Sequence, residues 1–155
     1  FFSYTFFVYI YSMKIAKTED VKTPVRSGRA AGIDFFVPNK FETKTVEPGD
    51  NILVSLGIKV KIPENYCLIA FNKSGVAKQG LTVGACVVDE DYQGVIHLHL
   101  FNVSKNPVQI VAGQKIIQFL LMPVSHDIIE EVSESEIHPE KTQRGEGAFG
   151  STGIV

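Results

Sequence analysis

Between positions 52 and 62 every second residue is aliphatic: Ile52, Val54, Leu56, Ile58, Val60 and Ile62. Leu53, Ser55, Gly57, Lys59 and Lys61 stand between them, and Pro63 ends the run. A period of two sustained this long predicts a strand with one buried face, and it excludes an amphipathic helix, whose apolar residues recur every three or four. Shorter apolar runs at 66–71, 81–88, 95–102, 108–111 and 116–124 read as further strands, with an opening strand and loop over 14–26 and another run leading to Pro38. Glu47-Pro48-Gly49-Asp50 is a turn, and Ser104-Lys105-Asn106-Pro107 a hairpin-type turn. One short helix is predicted after Asn72-Lys73, with Ser74 as its N-cap and Gly80 as its stop. Many short strands, Gly/Pro turns and a single helix indicate an all-β chain, a barrel or a double-sheet jelly roll.

The 155 residues suit one domain with a substantial core, and 45% hydrophobic against 21% charged residues are ordinary values for a globular protein. Fifteen Lys+Arg against 17 Asp+Glu give a net charge of −2, so no bulk attraction to nucleic acid is implied and direct nucleic-acid binding is not expected. Contact with polyphosphate must come from a few placed cations and amides. Cys67 and Cys86 lie in apolar runs without metal-type spacing. They read as small hydrophobes in a reducing compartment, cytoplasmic or, in a eukaryotic or viral setting, nuclear. Residues 1–12 are aromatic-rich and precede Met13, but they lack a cationic start and a cleavage site and are too short to span a bilayer. They read as an upstream extension, with an extra strand as the alternative, and no membrane association is expected.

Three stretches carry chemistry. Val87-Val88-Asp89-Glu90-Asp91-Tyr92-Gln93-Gly94 sets three acids at the end of an apolar run, where Val87 and Val88 are expected to be buried and Asp89 partly desolvated. A carboxylate aimed by a strand end can act as a general base, although adjacent acids in a turn are more often simply solvated. Lys73-Ser74-Gly75 joins a cation and a hydroxyl to a helix start, which suits phosphate, against the blander reading of a capped surface helix. Arg144-Gly145-Glu146-Gly147-Ala148-Phe149-Gly150-Ser151-Thr152-Gly153 combines glycine backbone with phosphate donors and an aromatic that could stack on a base. The spacing fits neither a Walker A loop nor a dinucleotide fingerprint. His97 and His99 share a strand face without a third ligand nearby, so an exposed or interface face is expected rather than zinc.

Taken in order, these stretches closely resemble the trimeric dUTPase family. Its five motifs have counterparts in Ala31-Gly32-Ile33-Asp34, Lys73-Ser74-Gly75-Val76-Ala77, Val87 to Gly94, Gly113-Gln114-Lys115-Ile116-Ile117-Gln118, and Arg144 to Gly153. The resemblance implies a jelly-roll-like distorted β-barrel over 13–141, a flexible glycine-rich arm over 142–155, and a homotrimer with active sites at its subunit interfaces. It implies hydrolysis of dUTP to dUMP and pyrophosphate with Mg2+, which limits uracil incorporation into DNA and supplies dUMP. Asp89 would activate the water that attacks the α-phosphorus. Tyr92 would pack under the deoxyribose, and backbone groups of an 82–88 hairpin, Gly84 and Val88 among them, would read uracil.

Lys73, Ser74, Gly75 and Gln118 would hold phosphates, and Asp34 would organise magnesium through water, the ion sitting mainly on the triphosphate. Phe149 would stack on uracil while Arg144, Gly150, Ser151 and Thr152 grip the phosphates from another subunit. Lys73 stands where the family usually has Arg, Cys86 where it often has Gly, and Ala148 where it has Gly. The alternatives are a dCTP deaminase on the same architecture and a non-catalytic nucleotide- or protein-binding barrel.

Overall fold

The computed structural model describes residues 12–138, 140–143 and 145–147. The chain divides into two units between Ser125 and His126. In the first, the strands are β1 (Lys14–Lys17), β2 (Ile33–Phe36), β3 (Lys44–Val46), β4 (Asn51–Ser55), β5 (Ile58–Lys61) and β6 (Tyr66–Asn72). Helix α1 (Ser74–Gln79) follows, and then β7 (Leu81–Val83), β8 (Val87–Val88), β9 (His97–Asn102), β10 (Val108–Ile110) and β11 (Lys115–Pro123). They form a four-stranded sheet β2-β11-β6-β8, a three-stranded sheet β4-β9-β7, and the pairs β1-β5 and β10-β3. This is the expected all-β, jelly-roll-like class.

The alternating run is two strands rather than one. Gly57, at φ 60°, breaks it, so that β4 pairs with β9 while β5 pairs with β1. A left-handed residue is available to glycine at little steric cost. The alternation survives the break: Val54, Leu56 and Ile58 are all buried, and the Leu56 N–H donates to Ile96 O at 2.9 Å. The apolar pattern thus reported the buried face correctly and said nothing about which sheet each half joins.

The 81–88 run divides in the same way. β7 joins β9, β8 joins β6, and no hairpin forms between them. The Gly84 N–H donates to His99 O and the Ala70 N–H to Cys86 O, so each end of the 84–86 turn is tied to a different sheet. The 104–107 turn likewise leads from β9 to β10, which pairs with β3. In the core, Phe35 and Phe119 meet edge to face with centroids 4.8 Å apart.

The second unit holds α2 (Glu134–Ile137), a second helix where the sequence reading predicts only the one after Lys73. Its signal was present as Ser133 and Glu136 in capping-box spacing: the Ser133 N–H and hydroxyl both donate to the Glu136 carboxylate. These bonds hold the Glu136 ionisation below its usual range.

Candidate active site

Each strand of the four-stranded sheet delivers a group singled out by the sequence. Asp34 lies on β2, Gln118 on β11, Lys73 follows β6, and Asp89 follows β8. Asp34 and Gln118 are cross-strand partners, and Gln118 also pairs with Phe71 of β6.

Around the start of α1 lies a cleft of about 330 Å³ whose lining includes Lys73, Ser74, Gly75, Gln114, Lys115 and Gln118. Lys73, not Ser74, is the N-cap, so the helix begins one position earlier than expected, with Ser74 its first residue and no side-chain cap bond at this end. Gly80, at φ 98°, ends the helix as expected. Ser74 and Gly75 are exposed, and a Cβ placed on Gly75 would meet no atom within 4 Å. Packing does not require glycine there, so its use is consistent with close approach by a ligand.

Two ammonium groups share one carboxylate at this cleft. Lys73 Nζ donates to Asp34 Oδ1, and Lys115 Nζ lies 3.2 Å from Oδ2. Burial of Asp34 favours the neutral acid, but the bonds and charges of Lys73 and Lys115 outweigh it and hold the carboxyl below its ordinary range. Two cations against one anion leave the cleft net positive, as phosphate requires. Lys115 lies within the fourth motif, where the sequence alone assigns it no task.

A β-bulge brings Lys115 into the cleft. In an unbroken strand, residues three apart face opposite sides. The register of β11 against β2 shifts between Lys115 and Ile117, so Lys115 and Gln118 line the same hollow while Ile116 and Ile117 are both fully buried. The Gln118 amide is held by donating to Asn72 O at 3.1 Å.

The acidic turn occupies a second hollow of about 180 Å³, lined by Val87, Val88, Asp89, Tyr92, Ile96 and His97. The two hollows have no lining residue in common. Contrary to expectation, Val87 is 56% exposed, Val88 is half-buried and Asp89 is exposed. The reason is that β8 is a two-residue edge strand, paired on one side only, so alternation turns Val87 outward. Extending the pairing of Leu68 with Val88 by one residue sets Asp89 across from buried Cys67. Burial first, and then the charge of Asp89, push the Cys67 thiol up.

Tyr92 is 44% exposed; its hydroxyl donates to Val95 O at 3.0 Å and its N–H to Asp89 O at 3.2 Å. Gly94 is required beneath it, since a Cβ there would lie 2.2 Å from the Tyr92 hydroxyl. At Gly84 a Cβ would fall 2.6 Å from the Phe101 ring. His97 is exposed, and His99 Nε2 lies 3.0 Å from Asn51 Oδ1 with its ring against Phe101. Arg144, Phe149, Gly150, Ser151 and Thr152 lie outside the described residues.

The residues present do not make a protein-built metal cage. Both Asp34 oxygens are engaged by ammonium groups, and among the described residues no three His, Cys, Asp or Glu side chains are grouped to hold an ion. No described helix is long and apolar enough to cross a membrane.

The architecture is that of solved phage dUTPases. The chain superposes on the Staphylococcus bacteriophage 80alpha dUTPase with dUpNHpp at a TM-score of 0.80 and 22% identity, covering 92% of this chain and 99% of that one. For the dUTPase of S. aureus phage phi11, described with a structural Mg(II) ion, the TM-score is 0.71 at 21% identity, over 81% and 99% of the two chains. At these identities the likeness is one of fold. Sequence carries it further: the dUTPase family model matches residues 20–153. The deoxyuridine 5'-triphosphate nucleotidohydrolase of Yarrowia lipolytica is 36% identical over 92% of this chain and 90% of the relative. The mouse enzyme of the same name is 35% identical over 88% and 81%. The chain belongs to the dUTPase family.

Proposed function

We propose that this chain, as a dUTPase, hydrolyses dUTP to dUMP and pyrophosphate in active sites assembled between the subunits of a homotrimer. Asp89 takes a proton from water, the water oxygen bonds to the α-phosphorus, and the bond to the bridging oxygen breaks to release pyrophosphate. Tyr92 packs against the deoxyribose, and the 84–88 backbone, where two sheets part, reads the uracil edge. Ser74, Gly75, Gln118, Lys73 and the additional Lys115 hold the phosphates. Arg144, Phe149, Gly150, Ser151 and Thr152 close the site from a further subunit. Magnesium accompanies the triphosphate, with no ligand assigned on this chain, and the task of Asp34 is to hold the two lysines.

One observation carries the composite site. Asp89 lies at the Cys67 end of β6, while Lys73 and Ser74 follow Asn72 at its other end. Six steps of extended chain separate Cys67 from Lys73, about 20 Å at the usual strand rise. That exceeds the distance between an attacking water at the α-phosphorus and the outer phosphates of the same nucleotide. Asp89 of one subunit and the phosphate cleft of another can serve one dUTP where those of a single chain cannot.

Pyrophosphate release from dUTP, set beside dTTP, dCTP and UTP, tests the activity. Turnover of dUTP well above the other three is expected, with no ammonia from dCTP. Equal turnover of dTTP and dUTP, or turnover of neither, sinks the reading.

A further inference from the structure

The acid next to the proposed base has a partner of its own. The Glu90 carboxylate accepts a hydrogen bond from the backbone N–H of Asn65, at the turn entering β6. Asn65 is the one non-glycine residue with positive φ, 62°, among those described, and its N–H lies before the first ladder pair of β6, Tyr66 with Pro123. A side chain in the left-handed region persists where its surroundings fix it. Here the fixing is visible on both sides, because Asn65 O accepts from the Val124 N–H at 2.9 Å just beyond β11.

Asp89 needs such an anchor. The strand that delivers it, β8, contributes only two ladder pairs, and the residues after it leave the sheet. The Tyr92 N–H to Asp89 O bond and the Tyr92 hydroxyl to Val95 O bond both close within the 89–95 segment and give it shape. They do not fix the segment against the rest of the molecule. The Glu90 bond does, joining the turn to the β5–β6 connection and through Val124 to the end of the longest strand.

We infer that Glu90 is a positioning residue, whose bond to the Asn65 amide sets the aim of Asp89. The inference rests on the reading of Asp89 as the base. A displacement of an ångström at a reacting group can lower a rate by orders of magnitude while leaving binding intact. Glu90 therefore acts on kcat rather than on KM.

The test is steady-state dUTP hydrolysis by Glu90→Ala and Glu90→Gln, with amide hydrogen exchange read at Asn65. In Glu90→Ala, kcat should fall about tenfold or more with KM within about twofold, and Asn65 exchange should quicken. Gln keeps an acceptor oxygen at the same reach, so Glu90→Gln should restore most of kcat and the protection at Asn65. If the alanine variant does not fold, Glu90→Asp replaces it: one methylene short of Asn65, it should be slow where Gln is fast. Wild-type kcat in the alanine variant, a loss confined to KM, or a glutamine variant no better than alanine would each overturn the inference. Asp89→Asn, measured alongside, keeps the two readings distinct. Retained activity there removes the base itself, whereas its loss beside a normal Glu90→Ala removes only the anchor.

Discussion

The two ends of β6 differ in how much of their work a single chain completes. At the Asn72 end the groups are already fixed: two lysines grip Asp34, Gln118 is tied to the Asn72 carbonyl, and α1 is closed by its left-handed glycine. At the Cys67 end, Asp89 stands exposed after a two-residue edge strand, beside an outward-turned Val87. The first is a prebuilt anion cleft. The second is an exposed carboxylate at a sheet edge, which suits the proposed base, one that would meet its substrate at a subunit boundary.

Substitutions at the two ends should therefore fail in different ways. The largest effect belongs to Asp89→Asn, which keeps size and polarity but loses the proposed base: kcat should fall by about a thousandfold or more with KM little changed, in steady-state pyrophosphate release. Next come Lys73→Ala and Lys115→Ala. Each removes a charge-assisted contact of about 1.5–3 kcal/mol, so KM for dUTP should rise roughly ten- to hundredfold. If Lys115→Ala leaves KM unchanged, the cleft holds one phosphate cation and not two.

Asp34 offers a stability readout as well. Its ionisation is held below the ordinary range in the folded chain. The stability it adds is therefore fully present above about pH 4 and is lost as pH falls through the lowered value. Asp34→Asn should cost about 1–2 kcal/mol near neutrality, discounted for the partial exposure of both lysines, and should flatten the acid limb of the stability curve. Denaturant melts between about pH 2 and 7 would check this, and an unchanged acid limb would refute it. The smallest effect is expected at Gly84→Ala, where the new Cβ would press on the Phe101 ring and tilt the turn proposed to read the base. A few-fold rise in KM for dUTP, with weaker discrimination against dTTP, is the expected result.

Much of this was legible in the residues, and the misses around the two hollows share one cause. Period-two alternation marked the buried faces of 52–62, and punctuation by Gly and Pro marked most turns. The motif order led to the family and to the residues now grouped in the two hollows. Pairing was not legible. Nothing local tells that Gly57 hands the chain to another sheet, that β7 and β8 part company, or that Val87 belongs to an edge. Lys115 was missed for the same reason: its approach to Asp34 depends on a bulge defined only by the partner strand. Glu90 could not be given a task without knowing that the β5–β6 turn lies beside it.

Subunit complementation tests the composite site most directly. Asp89→Asn and Ser74→Ala chains, each too slow alone, are unfolded together, reassembled in equal amounts and assayed on dUTP. If base and phosphate cleft come from different subunits, random trimers restore about a quarter of the wild-type sites. If both come from the same chain, every site carries one defect, and the mixture is no more active than its parts.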